Sequence, residues 1–472
     1  MRPLSLRSRS PVHGLDRRTL GTPEVLAQSV SSAAPAAAMA TVPAIVAATA
    51  GGATVWSFAI ATAVALLVGV CIAQFTRRMA GAGSLYTLTR QGLGTGGAFA
   101  SAGAMLVGYA LLVMAAVTGA AIYLEALLDR LGVGTAPPAL LPALAVAVTA
   151  GAAVLVLLGV RLSARIVLLI ESLSITLIVV VFGVLLAGGV PATGTPLVDP
   201  GFAGVAAGVL PALGAFIGFE AATALGVEAR RPYVTVPRAV LWTAGVAGLL
   251  TLVAAYVQVA AIGGTPGGPE PVLAAAAGRG GLAIVLDVGI ATSFLACTVA
   301  TSNALVRVLF SLGRDGVAPR RLGSAHRSYR TPHVAIAVAL PVCGLVPAAL
   351  LAVLTPEQVF SGLVTVASAG YLTAYLLVSV AAPVFLRRIG ELTAGPVVAS
   401  VVVAPILVAV GVAYLMATSG PVPVVLASLM AVLVAWYAWL RWRRPDALRG
   451  MGVYDETSAA DIHGVVRGVW WR

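Results

Sequence analysis

Apolar runs about as long as a bilayer is thick follow one another from Val25 to Leu440, with only short polar stretches between them. They lie at about Val25–Ala50, Trp56–Phe75, Phe99–Leu128, Leu140–Val160, Ile166–Ala187, Ala203–Val227, Val240–Ile262, Leu282–Leu312, Val334–Leu354, Val359–Leu386, Val397–Ala417 and Val422–Leu440. Each supplies the roughly 20 residues that an α-helix needs to cross about 30 Å of hydrocarbon. Lipid offers no hydrogen-bond partners, so only helices and closed barrels can span it. Runs that are apolar throughout, with no alternation, select helices. The sequence therefore predicts an all-α polytopic membrane protein with twelve transmembrane helices. The charged fraction agrees: it is 10%, against about one-quarter in an average soluble domain.

The basic residues predict orientation. All 29 are arginine, and all but Arg130 and Arg279 fall on one side of the alternating runs. Cytoplasmic loops carry the positive excess, so both termini are expected in the cytoplasm of a multi-pass protein of the plasma membrane. The net charge of +12 is thus explained by topology, and no nucleic-acid partner is expected. Residues 1–20 are polar, with no apolar core of a signal peptide. One twelve-helix membrane domain is expected at 22–441, with cytoplasmic tails at 1–21 and 442–472, the second loosely ordered. The cysteines, Cys71, Cys297 and Cys343, lie inside apolar runs without metal-ligand spacing, and the four histidines lie outside those runs. No metal, no cofactor and no clustered catalytic groups are expected, so the chain does not read as an enzyme.

Two of the runs are broken. In the first, Ser29, Ser31 and Ser32 precede Ala33, Ala34 and Pro35, and a proline inside a helix removes one hydrogen bond and clashes with the preceding turn. In the sixth, Gly214 and Gly218 flank Phe216 and Ile217, and Glu220 follows. Each glycine costs about 1 kcal/mol relative to alanine in a helix interior. Ionisable groups at membrane depth mark substrate and ion paths. Interruptions at matching places in two halves point to a transporter site. Runs one to five (about 22–190) and six to ten (about 200–390) are then two repeats of inverted topology, with helices eleven and twelve (about 395–441) outside them.

Several stretches carry a family resemblance. The sixth run and its loop read FIGFEAATALGVEARRP and VPRA; the eighth reads FLACTVATSNALVRVLFSLGRDGVAPRRLG. The second loop reads AGAGSLYTLTRQGLG, the fifth run opens GVRLSAR, and the tenth reads AGYLTAYLLVSVAAPVFLRR. From about Thr22 to Arg388 the chain resembles the amino acid–polyamine–organocation permeases. The resemblance implies a leucine-transporter-like fold of five plus five inverted helices with two added, and a secondary transporter of amino acids or related amines. The chain departs from the family at two points. SVSSAAPAAAMA stands where a G-x-G-type stretch is common, and the fifth run has Ser174 where some members carry a coupling lysine, with Glu171 one turn earlier.

Helix N-termini favour anions, and freed carbonyls favour cations. The break at Ser31, Ser32, Ala33, Ala34 and Pro35 is expected to take a substrate carboxylate. The break at Phe216, Ile217 and Gly218 is expected to take its amine, with Phe216 as a gate. Tyr109 is a candidate for the side-chain pocket, ordinary helix packing being the other reading. Glu220 and Glu171 are the candidate proton carriers. Thr298, Thr301 and Ser302 are candidate hydroxyl ligands for sodium, although hydroxyls on membrane helices commonly bond to their own backbone. Arg307, Arg314 and Asp315 read as a cytoplasmic gate or as topology anchors. The residues leave open a carrier of another organic cation or metabolite, and a nontransporting sensor.

Overall fold

A computed structural model describes residue 10 and residues 12–132, 137–187, 201–262, 280–417, 420–452 and 454–455. The described residues form helices α1 (Thr22–Ala33), α2 (Pro35–Ala50), α3 (Thr54–Thr76), α4 (Leu85–Arg130), α5 (Leu140–Leu158), α6 (Val160–Ala187) and α7 (Gly201–Leu213). These are followed by α8 (Pro232–Ile262), α9 (Gly280–Asp315), α10 (His333–Leu351), α11 (Pro356–Arg388), α12 (Ala394–Ala417), α13 (Val422–Arg443) and α14 (Pro445–Arg449). No strand occurs among the described residues.

Eleven stretches are long and apolar enough to cross a membrane, against the twelve expected. The difference lies in Thr22–Thr76, which counts as one stretch of 55 residues. At 1.5 Å per residue it would measure about 80 Å if straight, more than twice a hydrocarbon core. It is not straight. Ala34 takes a left-handed conformation (φ 47°, ψ 56°) between α1 and α2, and a short 3₁₀ turn at Gly51–Ala53 separates α2 from α3. The third expected run begins inside the long α4, which kinks at Gly94 (φ 74°, ψ −161°).

The most buried spans are α4, the broken sixth run and α9, each with 67% of its most apolar window buried, followed by α11 with 56%. Lipid is as apolar as leucine, so close backbone approach does much of the holding. At the crossing of α4 and α11, a Cβ added to Gly370 would lie 2.6 Å from the Ala104 carbonyl and 2.8 Å from the Gly108 nitrogen. No alanine fits there. α13 is peripheral: its most apolar window has no buried residue, as expected of a helix whose sides face lipid.

The expected loose C-terminal tail is ordered in part. After α14, the Gly452 N–H donates to Asp315 Oδ2 (2.8 Å) and the Asp455 N–H to the Ala80 carbonyl (2.8 Å). Arg17 Nη2 and Ser10 Oγ both donate to Asp455 Oδ1, at 2.6 and 2.9 Å. Ahead of α1, the Leu20 N–H donates to the Glu228 carbonyl (2.9 Å) and the Arg230 N–H to the Leu20 carbonyl (2.9 Å). The described segments that flank the bundle, before α1 and after α14, thus bond to each other and to its arginine-rich end.

Candidate substrate and ion site

The break in the first run falls at Ala34, whose N–H bonds back to the Ser31 carbonyl at 3.2 Å. Pro35 opens α2, supplying a preset φ and no N–H at a position where none is needed. Two amides at the start of α2 have no helical partner, and distant side chains take both. The Ala36 N–H donates to Glu171 Oε1 of α6 (3.3 Å), and the Ala37 N–H to Ser293 Oγ of α9 (3.2 Å). The Ser293 hydroxyl donates in turn to Glu171 Oε1 at 3.0 Å. Glu171 is buried, and its second oxygen, Oε2, has no hydrogen-bond partner.

The sixth run breaks more widely. α7 ends at Leu213; a 3₁₀ turn covers Gly214–Phe216, Ile217 is extended (φ −67°, ψ 127°), and a second 3₁₀ turn covers Ala221–Leu225. Gly218 sits between at φ 93°, where side chains are rarely tolerated. The two breaks satisfy each other. Ser29 Oγ donates to the Phe219 carbonyl (2.8 Å) and accepts from the Ala222 N–H (2.9 Å). Unwound backbone at membrane depth survives only with such partners.

Glu220 is wholly buried beside this break. Tyr109 of α4 donates to its Oε1 at 2.8 Å, and Tyr375 of α11 donates to its Oε2. Tyr375 also accepts from the Gly218 N–H (3.3 Å). Behind Tyr109, Ser84 bridges to Thr223 through bonds of 2.9 Å. Both oxygens of Glu220 are therefore occupied by neutral donors, whereas Glu171 keeps one bare.

Next to the breaks lies a cavity of about 870 Å³. Ser32, Ala34, Ala37, Phe216, Ile217 and Tyr375 border its inner end, and Leu354, Gln358 and Pro421 its outer end, away from the arginine-rich end. Its walls are mostly apolar, and no Asp, Glu, Arg or His is among the described residues that line it. Glu171, Glu220, Gly218 and Tyr109 do not line it; they stand directly behind it.

The arginine-rich end is closed. Arg307 makes two bonds of 2.8 Å to the carboxylate of Glu228 and one of 2.8 Å to the Asn303 carbonyl, with both charged side chains 1% exposed. Tyr86 donates to Asp315 at 3.0 Å. Arg314, by contrast, donates to the His13 carbonyl of the N-terminal segment (2.8 Å), lies 3.4 Å from the His13 ring nitrogens and stacks over Phe310 (5.0 Å).

Of the hydroxyls considered for sodium, Thr298 donates to the Phe294 carbonyl of its own helix (2.9 Å). Thr301 pairs with Ser32 at 2.9 Å, and Ser302 Oγ has no partner. The three do not converge on one point through any shared bond. Glu228, Ser293 and Tyr375 complete the geometry without having been singled out, and Ser29, noted ahead of the first break, had been given no role. Glu228 had a signal, the acid before Arg230 and Pro232 in the sixth-run motif. The others had none, since their partners lie more than 70 residues away in sequence.

The sequence model of the amino acid permease family matches residues 20–442. The branched-chain amino acid permease BcaP of Bacillus subtilis is 28% identical over 72% of this chain and 75% of its own. The methylthioribose transporter of the same organism is 26% identical over 76% and 79%. Among solved structures, MhsT in complex with L-phenylalanine superposes with a TM-score of 0.61 at 15% identity, covering 82% of this chain and 98% of that one. At that identity the likeness shows the fold alone, the leucine-transporter-like one.

Proposed function

This chain belongs to the amino acid permease family, and from that premise we propose that it moves amino acids with apolar side chains across the plasma membrane by alternating access, coupled to protons. The observation that carries the reading is the pair of mutually satisfied breaks bordering an apolar cavity. A zwitterion presents opposite charges a few ångströms apart, and the two breaks, which touch through Ser29, offer opposite partial charges. The substrate carboxylate is directed to the start of α2 and the amine to the carbonyls around Phe216 and Ile217. Glu220, held by two phenols, ties the sixth-run break to α4 and α11. A cavity that runs away from the arginine-rich end, with that end sealed by Arg307–Glu228, supports an outward-facing state.

Purified protein in proteoliposomes, given a panel of labelled amino acids, is expected to accumulate neutral apolar ones under an inward proton gradient. A protonophore should abolish the accumulation. No uptake of any member of the panel overturns the reading.

Twelve crossings with both termini cytoplasmic are part of the same proposal; the arginine distribution supports it. All three native cysteines are buried, which leaves a quiet background for labelling. In cells, Glu357→Cys should react with a membrane-impermeant maleimide, and Ser328→Cys only after permeabilisation. Labelling of both from outside overturns the topology.

A further inference from the structure

The start of α2 is where a substrate carboxylate is directed, and the protein's own carboxylate already holds it. Pro35 has no N–H, the Ala38 N–H is spent on the Ala34 carbonyl (2.9 Å), and Ala36 and Ala37 donate to Glu171 and Ser293. No amide of that first turn is left. Ala34 and Ala37 line the cavity and Glu171 does not. The glutamate therefore approaches the helix end from behind, through α6, while a ligand would approach from the front. The geometry has a second mark. Glu171 is 2% exposed, and its Oε2 lacks any partner. A buried carboxylate oxygen without a donor is rare in folded proteins and calls for an explanation.

We infer that Glu171 is a tethered competitor of the substrate carboxylate, and that substrate binds only as Glu171 takes up one proton. This rests on the transport reading above and specifies its coupling. Two anions cannot share one helix N-terminus behind low-dielectric walls. When Glu171 is ionised it holds Ala36, and through Ser293 it holds Ala37. A proton from the cavity side, placed on the carboxylate, leaves Glu171 neutral. The amides are then released to the incoming zwitterion. If proton and substrate leave together on the other side, one positive charge crosses per substrate.

The surroundings leave Glu171 as the group that responds to pH. Across from it α9 brings Ser293 and Cys297, and further along the same helix Asp287 is paired with Arg130 (2.5 Å). α1 carries Glu24, paired with Arg165 of α6 (3.2 Å) at the arginine-rich end. α2 and α5 carry no titratable side chain, and on α8 Tyr233, Arg238 and Tyr256 are exposed. No cation among the described residues is paired with Glu171.

The test is equilibrium binding to the purified full-length protein in detergent between pH 5 and 9. The probes are the twenty standard amino acids and, for each that binds, the amine made by removing its carboxyl group. Uptake of one proton per ligand makes the wild-type Kd rise about tenfold per pH unit once Glu171 is ionised. Glu171→Gln should bind the same amino acid with a Kd constant within twofold. The decarboxylated amine, which does not compete, should show no such slope in the wild type. A slope that persists in Glu171→Gln, or that is absent from the wild type, overturns the inference and leaves transport standing. Failure of every amino acid to bind the folded wild type overturns both. Should Glu171→Gln not fold, Ser293→Ala decides: it keeps the carboxylate but frees the Ala37 amide. It should bind several-fold more tightly at pH 8, with the slope retained. Unchanged affinity in Ser293→Ala counts against the inference.

Discussion

Arg307→Ala is expected to lower stability by about 3–5 kcal/mol, the cost of removing one partner from a buried ion pair. Arg307 and Glu228 are each 1% exposed, so solvent screening does not discount the figure. Truncation would strand the Glu228 carboxylate beneath the N-terminal segment, whose Thr19 and Leu20 amides bond to the Glu228 carbonyl at 2.7 and 2.9 Å. It would also free the Asn303 carbonyl, which accepts from Arg307 Nη1 at 2.8 Å. Replacing the pair with Arg307→Met and Glu228→Leu together should recover most of the loss, because desolvating two charges largely offsets their attraction. Chemical or thermal unfolding in detergent measures both. A single variant that loses less than about 1 kcal/mol would show that the pair is hydrated and does not seal this end. The consequence for transport is directional. With the lock gone, the arginine-rich end should open more often, and the buried Cys297 should become more reactive to a maleimide supplied from that side.

The parts of this protein legible in its sequence are those set by local pattern. Hydropathy alone located the spanning helices, because burial in lipid acts on every residue of a run. Both breaks were legible because Pro35 and Gly218 alter backbone energetics where they stand. Within the expected stretch Ser31–Pro35, it is Ala34 that carries the left-handed turn, and Pro35 begins the next helix. What stayed hidden was every contact made by folding. Nothing near Glu171 in sequence says that its carboxylate will meet an amide 135 residues earlier. Glu220 stood out as a buried acid, but its two phenol donors come from α4 and α11, and their convergence is a property of helix packing. For the hydroxyls Thr298, Thr301 and Ser302 the sequence offered two readings, an ion or the helix backbone, and Thr298 donates within its own helix.

Gly218→Ala is expected to cost about 3 kcal/mol and to reduce uptake at least tenfold. Two terms combine. At φ 93° an alanine is strained by about 1–3 kcal/mol whatever its surroundings. Its Cβ would also lie 2.7 Å from Ser32 Oγ and 2.8 Å from the Ser32 carbonyl oxygen, and overpacking adds about 1–3 kcal/mol. Part of the clash will be relieved by movement, and Ser32 has little freedom to give. Its hydroxyl pairs with Thr301 at 2.9 Å, and its carbonyl accepts from Cys297 Sγ at 3.3 Å. The relief must therefore come from parting the two breaks, which loosens the Ser29 bridge between them and shifts the carbonyls of Phe216 and Ile217 at the cavity wall. That displacement acts on binding, so the loss of uptake should appear mainly as a raised KM. Gly245→Ala on α8 is the control. Its added Cβ meets nothing within 4 Å, and alanine is the better helix former there by about 1 kcal/mol. Thermal unfolding and proteoliposome uptake on the two variants separate a general intolerance of methyl groups from the geometry of the break. Wild-type uptake by Gly218→Ala would mean that the two broken helices do not depend on their close approach, and the substrate site would have to be sought elsewhere along the cavity.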